Sequence, residues 1–274
     1  MELTSLTIGK LSPLLRRKEV SPREVVEAFL ERVHRLNGSL GAYITVMEES
    51  ALRQAREEER CIMEGDYHGP LHGIPLALKD LIDTKGVKTT SGSKILAGHV
   101  PEEDATVVER LRAAGAIILG KANLHEFAFG ATNENPHYGP ARNPWDKERI
   151  PGGSSGGSAV AVAAGLAAGA LGSDTGGSVR IPASLCGIVG LKPTYGRVSR
   201  HGVFPLSWSM DHLGPMTKSV EDAAFLLSAM AGYDPRDASS SPAPVPRYAR
   251  TLRRGVKGLK VGCPRAYFFE GMAG

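Results

Sequence analysis

The sequence predicts an α/β fold in which a sheet-centred core carries helices on its faces. Two short apolar segments, residues 74–78 and 116–119, are typical of buried strands, and a segment of helical periodicity lies between them. This strand–helix–strand order is the pattern of layered α/β domains. The 274 residues are enough to bury a sizeable core as one large domain or two small ones.

The first 64 residues are predicted to form a helical segment that packs on the core. Ser21 and Glu24 form a capping box, and Pro22 occupies the first helical position. Apolar residues then repeat at helical spacing up to Gly38, where we expect this helix to end. A short β-rich stretch, residues 43–46, precedes a charged helix over residues 48–63.

Residues 65–232 are predicted to form the α/β core. Asp104 is expected to cap a helix that runs to Ala114, and residues 158–169 are predicted to form a tightly packed helix of small residues. Residues 188–191 are predicted to be a further buried strand. The last clear helix is expected to begin after Ser219, to end at Gly232 and to present an apolar face made of Val220, Ala223, Ala224, Leu227 and Met230.

The C-terminal residues differ in composition from the core. Prolines, serines and arginines dominate residues 233–257, which are predicted to be a linker. Residues 259–262 are predicted to begin a new strand within a C-terminal portion, residues 258–274. Because a linker and one strand do not make a domain, we expect the chain to be truncated at its C-terminus.

Composition and charge argue against several classes of protein. The net charge of +4 is spread thinly, and the basic clusters at residues 16–18 and 250–254 lack the interleaved aromatic residues of a nucleic-acid surface. Cys61, Cys186 and Cys263 are far apart, which argues against a disulfide framework or a cysteine zinc site and suits a reducing cytoplasm. The longest apolar stretch, residues 159–171, is shorter than the ~20 residues that a membrane span needs. We expect a soluble, cytoplasmic protein that binds neither nucleic acid nor membranes.

Two glycine-rich loops are the strongest signals of chemistry. Residues 151–158 (PGGSSGGS) lie between a loop and a helix, and residues 173–178 (SDTGGS) precede a short helical segment. Glycines let the backbone approach a ligand closely, and backbone N–H groups at the start of a helix bind an anion or an oxyanion. The loops therefore predict serine chemistry with backbone stabilisation of negative charge.

Several familiar motifs fit these loops poorly. Neither loop has the Lys-Ser or Lys-Thr of a nucleotide P-loop, and the Rossmann spacing is absent from both. A formal GxSxG would make Ser155 the nucleophile, but no strand precedes it. His68 and His72 are predicted to be surface loop histidines rather than metal ligands, since Gly69 and Pro70 separate them.

Two alternatives for the catalytic base remain at this point. A triad of serine with Asp211 and either His201 or His212 is possible, but no spacing supports it. Lys79 ends the apolar segment 74–78, where partial desolvation would lower its pKa and make the neutral amine available as a base. Taken alone, Lys79 is better interpreted as a surface pair with Asp80.

The motifs together resemble the amidase signature family. The resemblance rests on residues 73–80 (GIPLALKD), 151–158 and 173–184 (SDTGGSVRIPAS), and it extends to residues 142–145, 186–193 and 211–215. It implies an amidase-signature fold, in which helices cover both faces of a mixed central sheet. It also implies a catalytic triad in which Ser178 is the nucleophile, Ser154 follows a cis peptide bond and relays a proton, and Lys79 is the base.

The resemblance also suggests roles for the residues around the triad. The backbone N–H groups of Thr175, Gly176, Gly177 and Ser178 match the family's oxyanion hole. Ser155 and Asp174 are expected to hold the two loops. Arg180 is interpreted as the partner of a carboxylate rather than as a substrate anchor. Residues 127–130, which include Ala128, Phe129 and Gly130, match the part of the family that lines the acyl pocket, although the two phenylalanines are equally consistent with core packing.

Two functions compete within the resemblance. The preferred hypothesis is a free-standing amidase that hydrolyses a small carboxamide, because Ile181 stands where glutaminase subunits of tRNA-dependent amidotransferases usually have glutamine and residues 205–209 resemble stand-alone amidases. The alternative is such a glutaminase subunit, working with amidotransferase partner subunits; a homodimer is possible for the amidase. A catalytically inactive, truncated fragment is a third hypothesis. The resemblance implies no metal and no organic cofactor.

Overall fold

The computed structural model describes residues 2–263 and residue 270. The strands in this part of the chain are β1 Tyr43–Val46, β2 Pro75–Lys79, β3 Ile117–Ala122, β4 Gly169–Asp174, β5 Val189–Gly190 and β6 His212–Thr217. The helices are α1 Ile8–Arg16, α2 Pro22–Leu40, α3 Glu48–Glu64, α4 Thr106–Ala113, α5 Gly156–Ala163, α6 Arg180–Cys186, α7 Val220–Met230 and α8 Tyr248–Thr251. Short 3-10 turns occupy Leu3–Ser5, Glu126–Ala128 and Leu252–Arg254.

The six strands form one mixed sheet in the order β1-β3-β2-β4-β6-β5. Strand β2 pairs in parallel with both β3 and β4, whereas β1, β5 and β6 join the sheet in antiparallel pairs. The centre of the sheet is buried along its whole length, since every residue of β2, β3 and β4 is buried. This confirms the mixed central sheet that the family resemblance implied.

Helices cover both faces of the sheet. A side chain at Gly169 of β4 would contact Leu226 of α7 and Ile8 of α1, whereas one at Gly172 would contact Ser155 at the start of α5. Positions three apart in a strand point to opposite faces, so α1 and α7 lie on one face and α5 lies on the other. The loops that precede α5 and α6 are therefore held against the middle of the sheet.

The helix boundaries agree with the sequence in part. The Ser21 hydroxyl accepts from Glu24 N, and the Glu24 carboxylate accepts from Ser21 N, which confirms the capping box. However, α2 does not end at Gly38: it continues to Leu40 and ends at Gly41, whose φ of 60° is the left-handed conformation that glycine adopts without strain. A Cβ at Gly41 would lie 2.5 Å from Pro140 O, so this position also requires glycine sterically.

Two other helix details differ from expectation. The residue that caps α4 is Ala105, because the carboxylate of Asp104 instead accepts from Lys85 N and pairs with Arg112. Ser219 does cap α7, and its hydroxyl accepts from Asp222 N. Val220 was predicted on the buried face of α7 but is 58% exposed, because it lies in the first turn of this helix, where the solvent reaches it.

Two of the six strands were not predicted. The expected helix over residues 158–169 ends at Ala163, and Gly169–Asp174 forms β4 instead. Strand β4 consists mostly of small residues, and β6 contains Gly214 and Pro215, so neither has the β-branched or alternating pattern that marks a strand. The predicted strand over residues 188–191 is only two residues long and only partly buried.

The N- and C-terminal segments join the core more closely than the sequence indicated. Strand β1, within the predicted helical segment 1–64, pairs with β3 at one edge of the central sheet. The second residue of the predicted linker, Asp234, is buried; it accepts from Ser199 Oγ at 2.7 Å and also bonds Thr106. Residues 259–262 are exposed and form no strand, because no neighbouring backbone pairs with them within the described residues. Residues 264–269 and 271–274 of the predicted C-terminal portion lie outside the described residues.

Candidate functional site

Lys79 is the last residue of β2, and its side chain is fully buried. Its Nζ donates to Ser154 Oγ at 2.6 Å and to Ser173 Oγ at 2.8 Å. The strand therefore carries the lysine to the point where the two glycine-rich loops meet. The interpretation as a surface pair with Asp80 is wrong: Asp80 is also buried, bonds Thr90, and lies 3.5 Å from Nζ of Lys121.

Burial lowers the pKa of Lys79 to about 7, because the charged ammonium loses its hydration, and the negative charges of Asp174 and Asp211 only partly offset this. A lysine with this pKa is about half neutral near pH 7, so the neutral amine that a general base requires is present at neutral pH.

Ser154 lies in the loop before α5, where the Gly153–Ser154 peptide bond is cis. The next residue, Ser155, joins this loop to β4. Its hydroxyl donates to Ser173 O and accepts from Ser173 N, both at 3.2 Å, and its own N donates to Ser178 O at 3.2 Å. Ser155 is fully buried and its hydroxyl is occupied by these bonds, which fits the structural role expected for it and not the nucleophile of a GxSxG elbow.

Ser178 lies between β4 and α6 and is partly exposed. Its hydroxyl makes no hydrogen bond to any residue within the described range, including Ser154. Catalytic hydrogen bonds are often long in the absence of substrate and tighten in the reacting complex. The structure thus brings Lys79, Ser154 and Ser178 to one place, with the Lys79–Ser154 contact already formed.

Asp174 organises the second glycine-rich loop. Its carboxylate accepts from Gly177 N at 2.8 Å and from Val179 N at 3.2 Å, and it binds the Arg180 guanidinium through two contacts of 3.0 Å. Burial would raise the pKa of Asp174, but these donors outweigh burial, and the pKa is lowered. Arg180 is thus the partner of a carboxylate, as the sequence analysis expected.

The backbone N–H groups of this loop differ in whether they have an acceptor. The N–H of Gly177 is engaged by Asp174. The N–H groups of Thr175, Gly176 and Ser178 donate to no acceptor within the described part of the chain. These three groups are available to an oxyanion, whereas Gly177 would have to share its proton with Asp174.

The segment 125–130 borders the site. Phe127 and Ala128 both have positive φ values, 49° and 59°, which is unfavourable for residues with a side chain and is characteristic of functional sites. Ala128 is buried and lines a cavity next to Ser173, whereas the Phe129 side chain is 78% exposed. The Phe127 ring packs against the Phe204 ring at a centroid distance of 5.2 Å. Of the two phenylalanines, Phe129 is therefore not a core residue.

A cavity of about 660 Å³ opens beside Ser173 and Ala128. Its walls come largely from the segment that precedes β6, and the Trp208 side chain in this segment is 86% exposed. The residues that line it include Leu81, Tyr195, Arg200, Phe204, Leu206, Trp208, Asp211, His212, Arg236 and Asp237. Neither Ser154 nor Ser178 lines the cavity itself, so it adjoins the reacting groups without containing them.

Three residues near the triad were not identified from the sequence in this role. Ser173 is the second acceptor of the Lys79 ammonium, and its only sequence signal is its place at the start of SDTGGS. Asp211 bonds the Thr175 hydroxyl at 2.5 Å. The electrostatic influence of Lys79 reaches His125 and contributes, after burial, to its lowered pKa. These groups are brought together by strand pairing, which no local pattern reveals.

His201 and His212, the two histidines considered as bases, contact groups other than the serines of the two loops. His212 Nδ1 lies 3.1 Å from Asp174 O, and His212 Nε2 lies 3.3 Å from Lys192 Nζ. His201 lies 3.5 Å from Glu103. Neither imidazole contacts a serine of the two loops within the described residues, so a Ser-His-Asp triad has no geometric support.

His72 is buried, and not a surface histidine as expected. Together with His68 and Glu58 it forms a group whose ligand atoms lie within 4.8 Å of one another, close enough to share a metal ion. His72 Nδ1 accepts from His68 N at 2.9 Å, and His72 Nε2 lies 2.8 Å from Glu58 Oε2. Because Nδ1 is engaged by the backbone, Nε2 is the nitrogen of His72 that faces the Glu58 carboxylate.

Among the described residues, no helix has the length and apolarity needed to cross a membrane. Cys61, Cys186 and Cys263 are all free thiols in the structure.

Comparison with known proteins identifies the class of protein that this fold and site define. The family model described as Amidase matches residues 24–273. The chain therefore belongs to the amidase family.

Individual relatives divide between two kinds of amide chemistry. The chain is 54% identical over 272 residues to the A subunit of glutamyl-tRNA(Gln) amidotransferase from Moorella thermoacetica, covering 99% of this chain and 56% of that protein. A solved structure from a vestigial complex connected with the origins of an s-triazine catabolic enzyme matches with a TM-score of 0.91 and 44% identity, over 93% of this chain and 56% of that one. The peptide amidase of Stenotrophomonas maltophilia matches with a TM-score of 0.83 and 42% identity, over 88% and 50% of the two chains.

The chain spans about half the length of the curated relative that it matches. The high identity to an amidotransferase subunit favours the glutaminase alternative over the free-standing amidase that the sequence motifs had favoured. Amide hydrolysis is common to both.

Proposed function

We propose that this chain carries the amide-hydrolysing site of a glutaminase subunit of a tRNA-dependent amidotransferase. The observation that supports this most strongly is the 54% identity, over 99% of the chain, to the A subunit of a glutamyl-tRNA(Gln) amidotransferase. Under this proposal the substrate is glutamine, the product ammonia passes to partner subunits, and the protein works in the cytoplasm with its amidotransferase partners.

The first chemical step is attack of Ser178 Oγ on the carboxamide carbon. Neutral Lys79 takes a proton from Ser154 while Ser154 takes the Ser178 proton, so the bond between Ser178 Oγ and the carbonyl carbon forms as the Ser178 O–H bond breaks. The 2.6 Å contact from Lys79 to Ser154 and the lowered pKa of Lys79 support the first half of this relay. Ser173, the other acceptor on Lys79, holds the amine in place.

The tetrahedral oxyanion is stabilised by backbone donors. The N–H groups of Thr175, Gly176 and Ser178 are free to receive it within the described residues, and they belong to a loop that Asp174 holds rigid. Donors fixed in advance are effective because they need no reorganisation during the reaction, and loss of one donor typically costs about 10²–10³ in rate. The C–N bond then breaks as the leaving nitrogen receives the proton through Ser154, and water hydrolyses the acyl-enzyme by the reverse relay.

The proposal is tested by ammonia release from glutamine, measured on the chain alone and after addition of partner subunits from the Moorella thermoacetica relative. We expect glutamine hydrolysis that is lost in Ser178→Ala and Lys79→Ala. Ser155→Ala is the matched comparison, because Ser155 lies next to Ser154 but belongs to the structural contacts; we expect it to retain measurable turnover. Absence of glutamine hydrolysis in a chain that hydrolyses other carboxamides would contradict the glutaminase function.

A free-standing amidase is the second candidate function, and the lining of the cavity favours it. The arginines and carboxylates that line the 660 Å³ cavity are already engaged within the described residues: Arg200 with Asp237, Arg236 with Asp234 and Glu109, and Asp211 with Thr175. What remains for a substrate is mainly apolar and aromatic surface, which suits an apolar amide better than a charged amino acid. Ile181, at the start of α6, adds a further apolar side chain beside Gly177.

A substrate panel separates the two candidates. Glutamine, asparagine, an aliphatic primary amide and an aromatic primary amide are compared by kcat/KM on the same preparation. Preference for the aromatic or aliphatic amide by about tenfold or more, which corresponds to about 1.4 kcal/mol of transition-state stabilisation, would favour the amidase. Preference for glutamine would favour the glutaminase. Ile181→Gln introduces the glutamine usual in the amidotransferase subunits, and we expect it to raise the relative activity on glutamine if the cavity binds that substrate.

A further inference from the structure

Asp211 connects two parts of the site that are distant in sequence. Its Oδ1 accepts from the Thr175 hydroxyl at 2.5 Å, and its Oδ2 accepts from Leu206 N and Ser207 N, both at 2.8 Å. Thr175 carries one of the free backbone donors of the glycine-rich loop. Leu206 and Ser207 begin the stretch that bears Trp208, part of the cavity wall. One carboxylate thus holds both the oxyanion loop and the wall of the adjoining cavity.

The Asp211 carboxylate accepts three hydrogen bonds within the described residues. Two of the three donors are the backbone N–H groups of Leu206 and Ser207, only a few residues before Asp211, so these bonds close a local turn. The third bond runs to a different strand end, 36 residues earlier in the chain. Hydrogen bonds to a charged acceptor are stronger than neutral ones. Asp211 therefore has the contacts needed to fix the position of Thr175 relative to the cavity wall.

We propose that Asp211 is a positioning residue for amide hydrolysis: through the Thr175 hydroxyl it aims the Thr175 N–H at the oxyanion and couples the oxyanion hole to the Trp208 wall of the cavity. The identity of the substrate rests on the proposed function, whereas the contacts of Asp211 do not depend on it. The Asp174 carboxylate cannot replace it, because that group is occupied by Gly177, Val179 and Arg180.

The charge of Asp211 gives this role a signature of its own. The charged groups that act on Lys79 are Asp174 and Asp211, which raise its pKa against the effect of burial, and His125 is the other titratable group whose charge interacts with Lys79. Removal of the Asp211 charge therefore lowers the pKa of Lys79 further. The acid limb of the pH–rate profile, which reports neutral Lys79, must then move to lower pH.

The experiment measures the rate at which a fluorophosphonate probe labels Ser178 across a pH range of about 5 to 9, on both sides of the pKa of Lys79. We expect Asp211→Ala to lose about 10- to 100-fold of the plateau rate, somewhat less than removal of a whole oxyanion donor. Asp211→Asn keeps an acceptor without the charge, so we expect a smaller loss with the same shift of the acid limb. Thr175→Val keeps its backbone N–H and the Asp211 charge, so its rate should fall while its acid limb stays in place.

Additivity and a matched control complete the test. Asp211→Ala combined with Thr175→Val should be no slower than Asp211→Ala alone, because both remove the same contact. Asp104→Asn is the control: Asp104 likewise holds a loop through a backbone N–H, that of Lys85, but lies outside the site. A wild-type plateau rate in Asp211→Ala, or a loss of rate in both Asp211 variants without a shifted acid limb, would overturn the inference.

The same probe separates this inference from the proposed function. Labelling needs the nucleophile, its base and the oxyanion hole, but not glutamine or a partner protein. A wild-type chain that labels but releases no ammonia from glutamine would contradict the glutaminase function while the labelling rates still judge Asp211. NMR titration of the Lys79 ammonium group provides a further readout, in which both Asp211 variants should show a lower pKa than wild type.

Discussion

The buried Lys79 is the base of the proposed mechanism, and its burial also has a cost in stability. Within the described residues, Lys79 has no carboxylate partner within hydrogen-bond reach; its Nζ is held by two neutral hydroxyls, those of Ser154 and Ser173. Hydroxyls can accept from the ammonium, but they also tolerate the neutral amine, so the arrangement does not force the lysine to stay charged. A directly bonded carboxylate would raise the pKa and remove the base.

The cost in stability predicts the effect of Lys79→Met. An unfolded lysine has a pKa near 10.4, whereas the buried Lys79 has a pKa of about 7. Between these values the unfolded chain binds more protons, so the free energy of unfolding rises with pH across this window and is lowest below it. We expect Lys79→Met to abolish activity and to stabilise the chain at pH 7 and below by about 0.5–2 kcal/mol.

Urea unfolding at pH 6 and pH 9 measures this prediction. The stabilisation by Lys79→Met should be larger at pH 6, where the native lysine would otherwise have to be protonated in a buried position. Lys88→Met is the control, because Lys88 is exposed and its replacement should leave the pH dependence unchanged. Equal unfolding free energies for Lys79→Met and wild type at pH 6 would show that burial does not penalise the charged lysine.

At the scale of single elements, the site depends on where strands end and loops begin. Lys79 ends β2, Asp174 ends β4, and both loops lead into short helices, α5 and α6. The second loop has free donors because Thr175, Gly176 and Ser178 lie between β4 and α6, where neither strand pairing nor helix hydrogen bonding engages their N–H groups within the described residues. The segment 125–130 completes the rim of the site through two residues in the left-handed region.

Gly130 is the residue that lets this rim segment pack. A Cβ at Gly130 would lie 2.4 Å from the ring of His125, a distance at which the ring or the backbone must move. We expect Gly130→Ala to displace His125 and to reduce the rate of Ser178 labelling by about tenfold, since a shift of about 1 Å near reacting groups can cost up to about 10²-fold.

Gly98→Ala serves as the comparison for Gly130→Ala. Gly98 is exposed, and no heavy atom lies within 4 Å of the position of its Cβ, so we expect a neutral substitution. NMR signals of the His125 ring would report the displacement directly. A labelling rate for Gly130→Ala equal to that of Gly98→Ala would mean that the segment relaxes without disturbing the site.

For the whole molecule, contacts distant in sequence hold β1 and the segment after α7 against the core. Strand β1 forms one edge, and Asp234, after α7, bonds Ser199, Thr106 and Arg236. Burial would raise the pKa of Asp234, but its donors outweigh burial and the pKa is strongly lowered. This carboxylate thus stabilises the fold at neutral pH, and the stabilisation is lost as the pH falls through its unfolded value and below.

We expect Asp234→Ala to destabilise the chain by about 1.5–3 kcal/mol at pH 7, because it leaves the buried hydroxyls of Ser199 and Thr106 without their acceptor. The penalty should shrink at pH 3, where the wild-type carboxylate begins to lose its advantage. Thermal unfolding at the two pH values measures both effects. Asp66→Ala, which removes a largely exposed carboxylate, should change the unfolding free energy by less than about 0.5 kcal/mol.

The parts of the fold that could be predicted from the sequence have local causes. The serine caps and helix periodicity of α2 and α7, and the buried apolar strand β2, follow from chemistry within a few residues. Strands β4 and β6 were missed because their small residues, glycines and proline carry no strand periodicity. They are strands only because they pair with each other and with neighbours in the sheet.

The sequence by itself determined the family of this protein, because the motifs around Lys79, Ser154 and Ser178 resemble the amidase signature and the family model that matches residues 24–273 confirms that resemblance. Only the tertiary structure decided which further groups act on them. Ser173 reaches Lys79, and Asp211 reaches Thr175, because β2, β4 and β6 are neighbours in the sheet. Such contacts arise from strand pairing across long stretches of chain, and no local pattern of residues encodes them.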